Sequence, residues 1–228
     1  MEKSKPLVSF ILTYYNQPVQ MLCKCIDSIL TVSLNPSERE IIVVDDGSED
    51  NTADIAREYG CVVLSHGSSL GPVVAKNTGL KAATGDYVLF MDHDERMLPG
   101  ALKALCSALA EDAKAAAVQA KVRDFKSPDC ADAAVAVRPE PYYGLFTGAI
   151  LIRRSAFDII GPFSTAQTAG EIIDWTDRMQ QNGLTVKKID LVSTDRRVHA
   201  NNFGRTRRIQ ELKDYAAILR ARLAKTTK

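Results

Sequence analysis

Gly85–Glu95 reads GDYVLFMDHDE. Tyr87–Met91 is an apolar run of strand length, rich in β-forming residues. A buried strand has no structural use for two acids at its tip, yet Asp92 and Asp94 stand there with one residue between them. Two positions apart on an extended segment, they project from the same side, with backbone carbonyls nearby. Oxygen clusters of this kind suit Mg²⁺ or Mn²⁺, which bind through one or two carboxylates together with substrate phosphates. The competing explanation is a strand end followed by solvated turn acids. A second acidic strand end, Asp45-Asp46 in IIVVDDGSEDNT (Ile41–Thr52), weighs against it.

Working outward, the first half alternates strand and helix. Leu7–Thr13 is a continuous apolar strand, after which Val19, Leu22, Cys23, Ile26, Ile29 and Leu30 recur at helical spacing. Glu40–Asp45 is a second strand. Asn51 is placed to cap a helix carrying Ile55, Ala56 and Tyr59, and Gly60 ends it. Cys61–Ser65 is a third strand, Gly71-Pro72 opens a helix that runs through Ala83, and Tyr87–Met91 is the fourth strand. Pro99 starts a helix with Leu102, Leu105, Cys106 and Leu109 facing inward. This alternation predicts an α/β fold with a mainly parallel, Rossmann-like sheet covered by helices on both faces. Ligands of such sheets bind beyond the carboxyl ends of the strands. Thr13-Tyr14-Tyr15-Asn16, Asp45-Asp46-Gly47-Ser48 and Asp92-His93-Asp94 all lie there.

The second half is less regular. Ala115–Val122 and Ala149–Arg153 are predicted strands, and Asp124–Tyr143 is a polar loop or edge hairpin. Gly170–Asn182 is a helix closed by Gly183, and Val186–Val192 is extended. Ile209, Leu212, Ala216, Leu219 and Leu223 mark a terminal amphipathic helix. With no repeat or linker, residues 1–204 form one domain, and the helix in 205–228 packs on it or serves as a lid. Arg205, Arg207 and Arg208 would then close over a diphosphate, unless they are simply a solvated charge cluster.

Bulk properties narrow the function. A chain of 228 residues buries roughly 70% of its unfolded surface on folding, so its core needs no disulfides. The 5 cysteines show no C-x-x-C spacing and read as buried small hydrophobes of a reducing compartment. A formal net charge of +1 points to neither nucleic acid nor membrane as partner. No apolar run of signal or membrane-span length is present, which predicts a cytoplasmic protein and leaves only peripheral contact with membranes open.

The clusters match the needs of a nucleotide-sugar site. Asp46 can accept from an imide N–H such as that of uracil, and Tyr15 or Tyr14 can stack on a base. A metal at Asp94 can bridge diphosphate oxygens. Gly71, with Lys76 and Asn77 on the following helix, brings positive charge and donors near the same crevice. Trp175 can stack on a sugar face or anchor the core.

At this point the chain resembles the inverting family 2 glycosyltransferases with the GT-A fold. The matching stretches are VSFILTYYN (Val8–Asn16), IIVVDDGSEDNT (Ile41–Thr52), AKNTGLKAATGDYVLFMDHDE (Ala75–Glu95) and, more loosely, GEIIDWTDRMQQNG (Gly170–Gly183). The resemblance implies a hexosyltransferase-type enzyme that moves a sugar from a nucleotide donor, UDP in preference to other nucleotides, to an acceptor hydroxyl. It implies nucleoside contacts at Thr13, Tyr15 and Asp46, a basic residue near the donor at Lys76, and a D-x-D at Asp92 and Asp94, with Asp94 the metal ligand. Gly148 matches a glycine that lets the acceptor side approach the donor. His199 matches a histidine that completes the metal site, where an imidazole suits Mn²⁺ better than Mg²⁺. The family's usual base, an Asp following Glu, aligns with Ile172, which cannot take a proton. Glu171 and Asp174 share a helical face there, with Ile172 rotated by about 100° from Glu171, and either can serve as base. Acids in a first helical turn are also favoured by the helix dipole alone.

Other readings are a non-catalytic nucleotide-sugar-binding module and a nucleotidyltransferase. The second normally carries a glycine-rich loop after its first strand, and TYYNQPVQ has no glycine. A dinucleotide-binding oxidoreductase is disfavoured because GSSLGPVVAKNTG lacks the G-x-G-x-x-G spacing.

Overall fold

A computed structural model describes residues 7–32, 35–128, 130, 135–144, 146–166, 170–200, 202, 212–217 and 220. Eight strands form one sheet: β1 (Val8–Tyr14), β2 (Arg39–Asp45), β3 (Val62–Ser65), β4 (Tyr87–Asp92), β5 (Arg96–Met97), β6 (Ala115–Lys126), β7 (Ile150–Arg153) and β8 (Thr185–Val198). Their order across the sheet is β3-β2-β1-β4-β7-β6-β8-β5. The first four are mutually parallel, as expected from the alternation. Beyond β4 the pairing is mixed, because β7 runs antiparallel to both of its neighbours and β5 to β8, while β6 and β8 are parallel.

Among the described residues, six helices flank the sheet ahead of the terminal segment: α1 (Val19–Leu30), α2 (Thr52–Glu58), α3 (Pro72–Ala82), α4 (Ala101–Ala110), α5 (Arg154–Ile160) and α6 (Glu171–Gln181). Alternation along β1 divides the core. Phe10, Leu12 and Tyr14 face the layer of α1, α2 and α4, while Ile11 faces that of α3, α5 and α6. Burial on both faces explains why these strands read as unbroken apolar runs. Gly79 lets α3 lie close to the sheet, since a Cβ there would stand 2.4 Å from Ile11 Cγ2.

Several expectations need correction. Asn51 occupies the N-cap of α2 but makes no side-chain cap; Asp50 Oδ1 instead accepts from the Thr52 amide at 2.9 Å. Asp124 belongs to β6, which is longer than expected; residues 135–141 form a loop, as one of the two expectations had it, and Tyr142 bridges to Val122. The extended segment at Val186 is likewise a long strand, β8, running to Val198. The short elements β5 and α5 have no counterpart in the sequence reading. Cys25 and Cys61 are buried, but Cys23, Cys106 and Cys130 are only partly so, and all five are free thiols. Of the terminal helix, residues 212–217 are helical. Ile209, Leu219 and Leu223, and Arg205, Arg207 and Arg208 of the expected lid, lie outside the described residues. Among the described residues, no helix is long and apolar enough to cross a membrane.

Candidate functional site

Parallel register brings the polar clusters to one edge. Thr13 on β1 pairs with Asp92 on β4 and Val44 on β2, and Tyr14 pairs with Asp45. The two tyrosines at the end of β1 separate sharply. Tyr14 is buried, with its hydroxyl between Asp50 Oδ2 (2.8 Å) and the Gln17 carbonyl, and burial pushes its pKa up to about 12. Tyr15 is 47% exposed and is the one free to stack on a ligand.

Asp46 is tied into the protein itself. Its Oδ1 meets His66 Nδ1 at 2.6 Å and the Leu70 amide at 3.0 Å, and its Oδ2 meets Ser69 Oγ at 2.7 Å and the Gly71 amide at 2.9 Å. A carboxylate offers about four acceptor sites, so in this conformation none is left for a base imide. Burial opposes ionisation, but these donors prevail and hold the carboxyl below its ordinary range. His66, to which the sequence assigns no role, also reaches Thr78 Oγ1 at 3.0 Å and so fastens the loop to α3.

The D-x-D does not behave as one extended segment. The chain turns after Asp92, where the Glu95 amide donates to the Asp92 carbonyl at 3.0 Å, so the same-side argument lapses. Asp92 is exposed at the strand tip, near the charge of Lys76. Asp94 folds inward to His199, whose Nε2 lies 3.2 Å from its Oδ2; the two side chains are only 9% and 18% exposed. Burial raises the Asp94 pKa, but the His199 hydrogen bond and the charges of His93 and His199 more than offset this and hold it low. His93 packs edge-on against Tyr14, with ring centroids 5.8 Å apart. Asp94 also lines a cleft of about 250 Å³ with Met21, Lys24, Arg96, Pro128 and Arg197. Three of these six residues are cationic. Arg96 stacks on Phe125 at 4.4 Å and Arg197 Nε donates to Ser127 Oγ at 2.8 Å, which fixes two of the cations in place.

Glu95 is the component that sequence reasoning missed. It is 3% exposed, and its Oε2 accepts from the Asp92 amide at 3.1 Å. Burial, with Asp92 and Asp94 close by, pushes its carboxyl well above the ordinary range. It also accounts for Gly148, because a Cβ at that position would lie 2.0 Å from Glu95 Oε2. The space above Gly148 is therefore taken by the protein's own acid rather than left open for an approaching acceptor.

On the opposite face, α6 separates the two candidate bases. Asp174 Oδ2 accepts from Arg178 Nε at 2.8 Å, and Arg178 also donates to the carbonyls of Ile160 (2.7 Å) and Pro162 (2.9 Å). Asp174 is thereby committed to a clamp between α5 and α6. Glu171 Oε1 instead meets Lys76 Nζ at 2.5 Å, so Lys76 points to α6 rather than to a donor. Ile172 is buried in the core. Trp175 is fully buried against Phe157 and Phe163, with Nε1 donating to the Gly161 carbonyl at 3.1 Å, so it is a core anchor and cannot stack on a sugar. Asn77 joins α3 to Phe163, donating to its carbonyl (2.9 Å) and accepting from its amide (3.1 Å), and so brings no donor to the crevice.

Comparison with known proteins bears on the family and the fold. The model of the family described as glycosyl transferase family 2 matches residues 9–165. YibD of Escherichia coli (strain K12), described as an uncharacterized glycosyltransferase, is 34% identical over 116 residues, covering 49% of this chain and 33% of that protein. The mannosyltransferase PcManGT from Pyrobaculum calidifontis, solved with GDP-Man and Mn²⁺, superposes with a TM-score of 0.73 at 22% identity, covering 95% of this chain and 65% of that one. Residues 1–349 of S. aureus TarS with UDP-GlcNAc give a TM-score of 0.66 at 20% identity, covering 83% and 58%. The chain spans about a third or less of the length of the curated relatives it matches.

Proposed function

The chain belongs to glycosyl transferase family 2 and has a GT-A fold, and from that premise we propose that it is a metal-dependent inverting glycosyltransferase. In this reading it moves a sugar from a UDP-linked donor to an acceptor hydroxyl. The observation that carries the proposal is the meeting of Asp94 and His199, 105 residues apart in sequence, at the wall of a cationic cleft beside the sheet tip.

The residues there fit a divalent ion. One carboxylate held ionised and one imidazole nitrogen form an incomplete ligand set that suits Mn²⁺, leaving positions for phosphate oxygens and water. Among the described residues no group of three or more His, Cys, Asp or Glu forms a complete cation site, so the donor's own oxygens would complete it. When bound, the ion supplies Lewis acidity to the diphosphate and offsets charge developing on the leaving group.

The chain's own groups supply the rest. Lys24, Arg96 and Arg197 draw the diphosphate into the cleft beside α1, and Tyr15 offers a ring face to the base. Glu171 lies on the other face of the sheet, on α6. In this reading the acceptor comes from the side of Glu171 and the leaving group departs toward the cleft, the opposed approach that an in-line displacement with inversion requires. Glu171 takes the proton of the acceptor hydroxyl as its oxygen bonds to the anomeric carbon. The bond from that carbon to the diphosphate oxygen breaks, and the electron pair leaves with the UDP.

A thermal-shift panel of UDP, UDP-GlcNAc, GDP and GDP-Man, with and without Mn²⁺, tests the binding half. UDP with Mn²⁺ is expected to stabilise most, by about 2.7 kcal/mol at a hundredfold excess over Kd. Asp94→Ala removes the metal-dependent part of the shift, and an unchanged shift in that variant overturns the metal assignment. A larger effect of GDP reassigns the base. Because Ile172 replaces the family's usual acid, UDP binding with no UDP release toward any acceptor would favour a non-catalytic module instead.

A further inference from the structure

The Lys76–Glu171 pair is more deeply enclosed than a donor-contacting lysine would be. Lys76 lies midway along α3 with its side chain 8% exposed, and Glu171 opens α6 with its side chain 13% exposed. The charges around Lys76 are Glu171 from α6 and Asp92 and Glu95 from the β4 tip. On α6 itself, Asp174 is held by Arg178 and Asp177 accepts from Gln181 at 2.7 Å. Lys76 is thus the single cation within hydrogen-bond reach of Glu171 among the described residues. It engages Oε1, and the carboxylate also accepts from its own backbone amide.

We propose that Lys76 is the positioning residue of the acceptor base: it anchors Glu171 through Oε1 and so fixes the orientation of the carboxylate that receives the hydroxyl proton. The inference rests on Glu171 being the base. Its physical content is a contest between two opposing effects. A carboxyl enclosed at a helix start in a largely apolar layer would retain its proton well above the usual range. An ammonium in contact reverses this, and the Glu171 carboxyl is held below its ordinary range, with burial opposing and the charge and hydrogen bond of Lys76 prevailing. Without Lys76, burial is opposed only by the weaker pull of a backbone hydrogen bond.

The experiment uses the full chain labelled with δ-¹³C glutamate, with the Glu171 signal assigned through Glu171→Gln. Its titration is followed in the parent, Lys76→Met and Lys76→Arg. In parallel, UDP release from the best-stabilising UDP-sugar with Mn²⁺ is measured against pH, with water as acceptor. The parent carboxyl is expected to titrate below the ordinary range. Lys76→Met raises it by about two pH units, and the acidic limb of kcat/KM moves up with it. Lys76→Arg keeps both near the parent values. A parent Glu171 that titrates at or above the ordinary range overturns the proposal, and that result does not depend on Lys76→Met folding. A Lys76→Met limb that stays in place while KM for the donor rises also overturns it, and makes Lys76 a donor contact. Full turnover in Glu171→Gln with intact UDP affinity is a separate outcome that removes the base assignment beneath it.

Discussion

Asp46 shows how much one carboxylate can organise. Four donors from the loop at residues 66–71 converge on it, whereas its neighbour Asp45 accepts from the Ser48 amide at 2.9 Å. Asp46→Ala leaves buried donors unsatisfied and is expected to cost about 3 kcal/mol in urea unfolding. Because the folded-state pKa of Asp46 lies below its unfolded value, its contribution is complete above about pH 4 and disappears as pH falls through the folded value. The stability gap between parent and Asp46→Ala should therefore narrow in acid and persist at neutral pH; a gap independent of pH would contradict the role given to its charge. Gly148 makes a second case. Adding one methyl there drives it into Glu95, so Gly148→Ala is expected to cost about 1–3 kcal/mol and to displace Glu95. If Gly148→Ala melts at the parent temperature, the close contact is wrong.

Among the elements, α6 is the most instructive. Its 3.6-residue period places Ile172, Trp175 and Met179 in the core and turns Glu171 toward α3. Ile172 is accommodated because its side chain lies within the apolar layer. Trp175, the chain's 1 tryptophan, is a direct probe of this packing. Its emission is expected to be blue-shifted in the folded state and insensitive to UDP-sugars. Trp175→Ala should cost about 3–5 kcal/mol, while Trp175→Phe retains donor affinity. Quenching of Trp175 by a sugar donor would return it to the binding site.

Across the whole molecule, the two faces of the sheet divide the chemistry. Metal-type ligands and the cationic cleft lie beside α1, and the base candidate with its lysine lies between α3 and α6. The ion pair joins residues 95 apart in sequence and links those two helices. Breaking it from one side leaves a buried uncompensated charge, so Lys76→Met or Glu171→Gln alone is expected to cost about 3–5 kcal/mol, and the double substitution less than their sum. Strict additivity in that cycle would mean that the two side chains do not meet in solution.

Several features can be read directly from the letters of the chain. β1, β2 and β4 stand out because strands buried on both faces must be apolar throughout, and their acidic tips stand out because nothing in a core explains them. The short elements β5 and α5 are hidden because a few residues carry too little periodicity. Glu95 reads like one more solvated turn acid, since burial leaves no mark on the letter itself. Asp174 and Glu171 are equivalent by helical geometry, which relates residues within a helix but not the helix to its surroundings.

The amino-acid sequence alone determined the alternation of strand and helix and the gathering of polar residues at the strand tips, because both follow from local periodicity and the direction of the chain. Only the tertiary structure decided which charge meets which across the fold: His199 with Asp94, Lys76 with Glu171, His66 with Asp46. Pairings of this kind depend on distances of about 3 Å between side chains from separate elements, and no spacing along the chain encodes them.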